Sequence, residues 1–191
     1  MTIAADAIAR DTAAMQALLK TQRDAFHAEL PVAAAIRKDR LDRALKLVLD
    51  YKDRFVAALS DDFGHRSAEM SLVTDIMASV KPLKHALKHV DQWMQPERRK
   101  VDFPLGLLGA KAMVEWQPKG VVGIISPWNF PVNLTFAPLA NVLAAGNRAM
   151  VKPSEFTPAT SELMKVAIAQ YFDEAEVAVV TGGPELGKAF S

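Results

Sequence analysis

From Gly120 to Ser191 the chain changes its period. Three short apolar runs, 121–126, 148–152 and 177–181, alternate with stretches at helical spacing, 132–145, 158–171 and a helix start at 184–191. Strands alternating with helices need crossover connections, and these build a parallel sheet. The continuous apolar character of the runs predicts strands covered on both faces. The fold class is therefore α/β. In an open sheet of this kind, ligands bind beyond the carboxyl ends of the strands. The first two runs end in residues suited to that place. Gly120-Val-Val-Gly-Ile-Ile-Ser-Pro-Trp-Asn-Phe-Pro131 carries Asn129, and Met150-Val-Lys-Pro-Ser-Glu155 carries Lys152 and Glu155. An amide, a cation and a carboxylate should thus project into one crevice from two successive turns. A sugar-phosphate cofactor and a developing oxyanion need such groups.

Upstream the chain reads as helical. Residues 5–29 carry Ile8, Met15, Leu18, Leu19 and Phe26 at helical spacing among many alanines, and Pro31 stops the run. Residues 32–62 are amphipathic, with a break expected near Asp50-Tyr51. Asp62-Phe-Gly64 places a glycine just past the last turn, where helices commonly end. A further helix spans 67–95 with Ser67 as its N-cap. Pro82 predicts a kink or division there, and Pro96 ends the run. Two strand-like pieces follow, 98–103 and 111–117. Pro104-Leu-Gly-Leu-Leu-Gly109 separates them, a hairpin signal with a long loop.

Several function classes fall away. With 23 Lys+Arg against 22 Asp+Glu, the net charge is +1, so no global field recruits nucleic acid. Lys81, Lys84 and Lys88 recur at helical spacing with no aromatic ladder, and Arg98-Arg-Lys100 adds none, so no nucleic-acid partner is expected. The chain has no cysteine, which excludes disulfides, thiolate metal sites and thiol catalysis by these residues. His85 and His89 sit four apart, but Ala86 stands where the metalloprotease pattern needs glutamate, so no metal is predicted. The apolar stretch from Pro131 to Met150 is interrupted by Asn133, Pro138, Asn141, Asn147 and Arg148, and no membrane span is expected. Met1 to Arg10 lacks a basic start before an apolar core, and a cytoplasmic location is the default.

The blocks Ser126-Pro-Trp-Asn-Phe-Pro131 and Lys152-Pro-Ser-Glu155, each after an apolar strand, resemble the first two signature blocks of the NAD(P)-dependent aldehyde dehydrogenases. Asp62-Phe-Gly-His-Arg-Ser67, Asn147-Arg-Ala-Met-Val-Lys-Pro-Ser-Glu-Phe-Thr-Pro158 and Glu176-Val-Ala-Val-Val-Thr-Gly-Gly-Pro-Glu-Leu-Gly187 are similar to one branch of that family, the coniferyl aldehyde dehydrogenase group. The likeness runs from about residue 30 to the last residue. It implies an incomplete version of the family fold. Residues 1–97 would be a helical segment packing on the cofactor domain. Residues 98–118 would be a β-hairpin of the oligomerisation region, and 119–191 the first βαβ units of a Rossmann-like NAD-binding domain. The catalytic domain is expected to be absent, because the chain stops before the family's Phe-Thr-Gly-Ser turn and glutamate base. The family's cysteine nucleophile is missing too. The expectation is the amino-terminal part of an enzyme, well under half of it and inactive alone.

The resemblance also assigns residues. In isolation Asn129 reads as a turn former; within its block, it would donate to the oxygen of the thiohemiacetal formed on the aldehyde. Ile125, Ser126, Pro127 and Trp128 would line the cofactor through their backbone, though Trp128 reads equally as core. Lys152 and Glu155 would contact the ribose hydroxyls on the adenosine side, with Ser154 towards the phosphates. A carboxylate beside the ribose repels a 2′-phosphate, so NAD is preferred, with NADP possible. Phe130 would border a tunnel for an aromatic aldehyde, or pack in the core. Gly183 and Gly187 would begin a cofactor-contacting helix, or serve close helix–strand packing. No Gly-x-Gly-x-x-Gly follows any strand, in keeping with the family's atypical dinucleotide mode. The partners implied are a small-molecule aldehyde and further copies of the complete chain. The rival expectation is a non-catalytic remnant, or half of a split enzyme, that at most binds nucleotide or a complementary fragment.

Overall fold

A computed structural model describes residues 3–191; Met1 and Thr2, which begin the stretch read for targeting signals, lie outside the described residues. Three helices open the chain: α1 (Ile3–Glu29), α2 (Ala34–Asp50) and α3 (Lys52–Phe63). Tyr51, with φ −97° and ψ 2°, makes the expected break between α2 and α3. Gly64 ends α3 in the left-handed region at φ 61°, and its N–H returns to the Ser60 carbonyl. Ser67 caps the next helical run by accepting from the Met70 N–H at 3.2 Å. That run comprises α4 (Ala68–Ser71), a π-helical stretch (Leu72–Met77) and α5 (Ala78–Trp93).

Pro82 does not divide the run; it lies inside α5, and the departure from α geometry falls upstream in the π stretch. A proline ring opposes the carbonyl four residues earlier. Here that residue is Ala78, the first of α5, directly after the π stretch.

The hairpin forms with shorter strands than predicted. β1 (Glu97–Arg99) pairs antiparallel with β2 (Ala112–Val114), Glu97 opposite Val114 and Arg99 opposite Ala112. An isolated two-stranded ribbon is marginal in water, and every residue of β1 is exposed. Pairing therefore stops after three residues. The connecting loop holds Phe103, Leu107 and Leu108 almost wholly in solvent.

β3 (Val121–Ile125), β4 (Arg148–Lys152) and β5 (Val177–Val179) form a parallel sheet in the order β3-β4-β5. The crossovers are α6 (Asn133–Ala144) and α7 (Pro158–Tyr171), and α8 (Pro184–Phe190) follows β5. Coverage of both faces holds fully for β4 alone, every residue of which is buried. β3 and β5 are the sheet's edges among the described residues, which leaves Ile125 57% exposed.

β4 divides the interior by its period of two. Ala149 and Val151 join one core with Leu41, Leu47 and Phe55 from α2 and α3, Leu83 and Val90 from α5, Phe136 and Leu143 from α6, and Met164 from α7. Met150 turns the other way, to Met15 of α1 and Leu186 of α8. The N-terminal helices thus complete both faces of the sheet, which burying a parallel sheet requires. Among the described residues, no helix is long and apolar enough to cross a membrane.

Candidate functional site

The first two strands end side by side. Ile125 pairs with Lys152 in the parallel register, and the Ser126 N–H donates to the Lys152 carbonyl at 3.1 Å. The turn carrying Asn129 and the turn carrying Glu155 therefore leave the sheet from adjacent points. Ser126 is buried and its hydroxyl meets that of Thr135 at 2.6 Å, so its side chain serves the turn. Trp128 is 53% exposed and its ring lies against Phe63 at 6.4 Å; it is not a core residue. Asn129 is exposed, and its carboxamide has no hydrogen-bond partner among the described residues.

Sequence reasoning missed what holds this turn. Arg66 donates through Nη1 to the Asn129 carbonyl at 3.0 Å, and through Nη2 to Asp75 Oδ2 at 3.0 Å and Thr74 Oγ1 at 2.9 Å. Its guanidinium also lies over the rings of Phe63 and Phe130, at 4.9 and 5.1 Å. Asp75 is fully buried, and its Oδ1 accepts from the N–H groups of Val132 and Asn133 at 3.1 and 3.2 Å. It thereby caps α6, whose N-terminus carries partial positive charge. Burial pushes the Asp75 carboxyl above its ordinary value, opposed by these N–H groups and by Arg66.

Asp62 caps α7 in the same way, accepting from Ala159 and Thr160 at 2.9 and 2.8 Å. Neither helix is capped by the side chain next to it in sequence. Local capping rules examine adjacent residues, so two caps supplied from 57 and 97 residues upstream were invisible to them. One signal was available: Ser71, Asp75 and Ser79 form a buried polar stripe at four-residue spacing on an otherwise apolar helix face. The caps have a chemical consequence. Carboxylates occupy the N-termini of α6 and α7, so neither is open to a cofactor pyrophosphate in the usual helix-terminus manner. That agrees with the missing glycine fingerprint.

On the second turn, Lys152 is buried and its Nζ donates to Glu155 Oε2 at 2.8 Å and to the Pro153 carbonyl at 3.1 Å. The two do form an i, i+3 pair, but in a non-helical turn and with the lysine enclosed. The Lys152 hydrogen bond holds the Glu155 carboxyl below its ordinary range, so it is ionised at neutral pH. Oε1 of Glu155 is left to accept from a ligand, and its side chain is 30% exposed. Ser154 is spent on its own turn: its Oγ accepts from the Phe156 N–H and its carbonyl from the Ser161 hydroxyl. A β-carbon on Gly187 would stand 3.6 Å from Lys152 Cε, which places α8 against the same turn, whereas one on Gly183 would meet nothing within 4 Å. A carboxylate with a free oxygen, a fixed ammonium and open space at Gly183 fit a ribose diol.

Clefts also lie elsewhere. One of about 730 Å³ sits at the opposite end of the strands, lined by Trp93, Trp116, Lys119 and Asn147. His85 and His89 lie with their rings 4.2 Å apart, and no grouping of three metal-ligating side chains occurs among the described residues.

A family model described as "Aldehyde dehydrogenase family" matches residues 2–191. A probable coniferyl aldehyde dehydrogenase of Caulobacter vibrioides is 55% identical over 180 residues, covering 94% of this chain and 37% of that protein. The coniferyl aldehyde dehydrogenase of a Pseudomonas species is 52% identical, over 84% of this chain and 33% of that protein. Among solved structures, substrate-bound AldH of Staphylococcus aureus superposes with a TM-score of 0.84 at 30% identity, over 91% of this chain and 37% of that one. The indole-3-acetaldehyde dehydrogenase of P. syringae, in complex with NAD+ and IAA, gives 0.79 at 26% identity, over 94% of this chain and 36% of that one. The chain spans about a third of the length of these relatives.

Proposed function

The chain belongs to the aldehyde dehydrogenase family, and from that premise we propose that it supplies the oxyanion amide and part of the coenzyme cleft of an enzyme oxidising an aromatic aldehyde of the coniferyl kind. The product is the carboxylic acid. The observation that carries the reading is the adjacency of the two turns: Ser126 is bonded to Lys152, with the free Asn129 carboxamide on one side and the ionised Glu155 on the other. In this reading Asn129 donates to the oxygen that gains negative charge when a nucleophile adds to the aldehyde carbon. Glu155 accepts from the ribose hydroxyls, and Lys152 fixes Glu155 while donating to the same sugar. NAD, when bound, supplies the hydride acceptor. The chemistry further needs a thiol, and these 191 residues contain no cysteine. The nucleophile therefore belongs to another part of the complete protein.

The 191 residues alone should reduce no NAD with coniferyl aldehyde, while the complete protein does so. Spectrophotometric assay of both at 340 nm checks this. Turnover by the cysteine-free chain overturns the division of labour, and an inactive complete protein favours the non-catalytic alternative. The exposed hairpin residues Phe103, Leu107, Leu108 and Trp116 support association of copies through that region. Light scattering of the complete protein should accordingly show a dimer or larger.

Coenzyme choice follows from Glu155. Its negative charge should favour NAD over NADP, and Glu155→Gln should narrow the gap. A hydrogen bond to a charged group contributes about 1.5–3 kcal/mol, so kcat/KM with NAD should fall by roughly 10-fold or more in the variant. Equal efficiency of the unaltered enzyme with both coenzymes would remove this role.

A further inference from the structure

We propose that Arg66 and Asp75 are positioning residues that fix the backbone from which the Asn129 carboxamide projects. The proposal deepens the functional reading above and rests on it. The pair grips the turn at the Asn129 carbonyl and over the residues that follow it. Arg66 holds the Asn129 carbonyl at 3.0 Å and lies over the Phe130 ring at 5.1 Å. Asp75 holds the N–H groups of Val132 and Asn133 at 3.1 and 3.2 Å. The two are bonded to each other at 3.0 Å, with side chains 11% and 0% exposed, so they act as one fixed unit. Phe63 backs Arg66, which lies 4.9 Å from its ring centre, and the Trp128 ring lies 6.4 Å from the same ring. The Asn129 side chain is left outside this network, fixed at its backbone origin and available to a ligand.

The approach to Arg66 is itself unusual. His65 adopts φ 78°, a left-handed conformation that a residue with a β-carbon holds only where its surroundings impose it. Gly64 at φ 61° precedes it, and together they turn the chain so that Arg66 points back at the Asn129 turn. A guanidinium has the fork geometry to reach the Asn129 carbonyl and the Asp75 carboxylate at once; an ammonium is a single point of charge and cannot. Small displacements of a group that must meet a reacting oxygen are costly, on the order of 100-fold for 1 Å.

The test is a double-mutant cycle in the complete enzyme, with R66K, R66A and N129A alone and combined. R66K should lower kcat about 10-fold, and R66A further, with the KM for NAD held within about two-fold, because the arginine acts on the oxyanion donor and not on the sugar site. In the N129A background, neither Arg66 substitution should lower kcat again, since the group being positioned is gone. A merely structural arginine would lower both backgrounds equally. Equal losses in the two backgrounds, or unchanged kcat in R66K, overturn the proposal. R66K keeps the charge and the ring contacts, so it reports even where R66A fails to fold. Should N129A itself turn over normally, the oxyanion assignment fails, and this proposal falls with it.

Discussion

Asn129→Ala in the complete enzyme is expected to lower kcat by ~10²–10³-fold, the usual effect of removing one oxyanion donor. The KM for NAD and the melting temperature should barely move. The separation of these effects is the substance of the prediction. The carboxamide is exposed and bonded to nothing in the protein, so truncating it removes no interaction from the folded state. The backbone of the turn is held independently, by Arg66 at the Asn129 carbonyl and Asp75 at the start of α6. A substitution of this kind, away from any packed or bonded feature, changes stability by about 0.5 kcal/mol at most. Steady-state kinetics and a thermal melt on the same preparation check both halves. Unchanged turnover would leave Asn129 as the plain turn residue that its local sequence suggests. A fall in melting temperature matching the loss of activity would instead make it a residue that shapes the turn.

Much of the scaffold for this experiment was legible in the sequence because it rests on local rules. α7 spans Pro158–Tyr171 and β4 spans Arg148–Lys152, the limits predicted from periodicity and from the fixed φ of proline. The break at Tyr51, the glycine cap at Gly64 and the serine cap at Ser67 are likewise decided by neighbours in the chain. What escaped prediction is non-local. Nothing near α6 or α7 announces that Asp75 and Asp62 cap them. Nothing near the Asn129 turn announces Arg66, because the contacts join residues far apart in sequence. Strand length failed at the hairpin, where propensity pointed to six or seven residues and the lack of a covering layer stopped pairing at three. The division expected at Pro82 falls instead in the π stretch upstream of it. At the site, residue types and adjacency were legible, but the division of labour was not. Ser154 read as facing the cofactor phosphates, yet its hydroxyl satisfies the turn that carries it.

Removing the charge of Glu176 should destabilise the fold at neutral pH and make its acid response shallower. Glu176 stands at the entry to β5, where its Oε1 accepts from Arg40 Nε at 2.9 Å and Arg43 Nη2 at 3.0 Å, and its Oε2 from Arg43 Nη1 at 2.7 Å. Arg40 is almost wholly buried and grips Glu29 of α1 with its other arm, at 2.7 and 2.8 Å, and Arg148 of β4 reaches the same Glu29 at 3.2 Å. Five side chains thus tie α1, α2, β4 and β5 together at the end of the sheet opposite the candidate site. Burial alone would raise the Glu176 carboxyl. Hydrogen bonds from Arg43 and Arg40, with their charges, overcome that and hold it at about 2, against an ordinary 4.5. A carboxyl depressed in the folded state stabilises the protein above its unfolded value, and that contribution is lost as pH falls from 4.5 towards 2. Breaking a fully enclosed ion pair costs about 3–5 kcal/mol; with the Glu176 side chain 19% exposed, Glu176→Gln should cost on the order of 2 kcal/mol at pH 7. The glutamine keeps the volume but cannot accept both guanidinium groups as an anion does. Unfolding measured at pH 7 and again near pH 2 should therefore show two curves far apart at the first and converging at the second. A gap that stays constant between them would mean that shape rather than charge joins these elements, and that Arg40 is held by Glu29 alone.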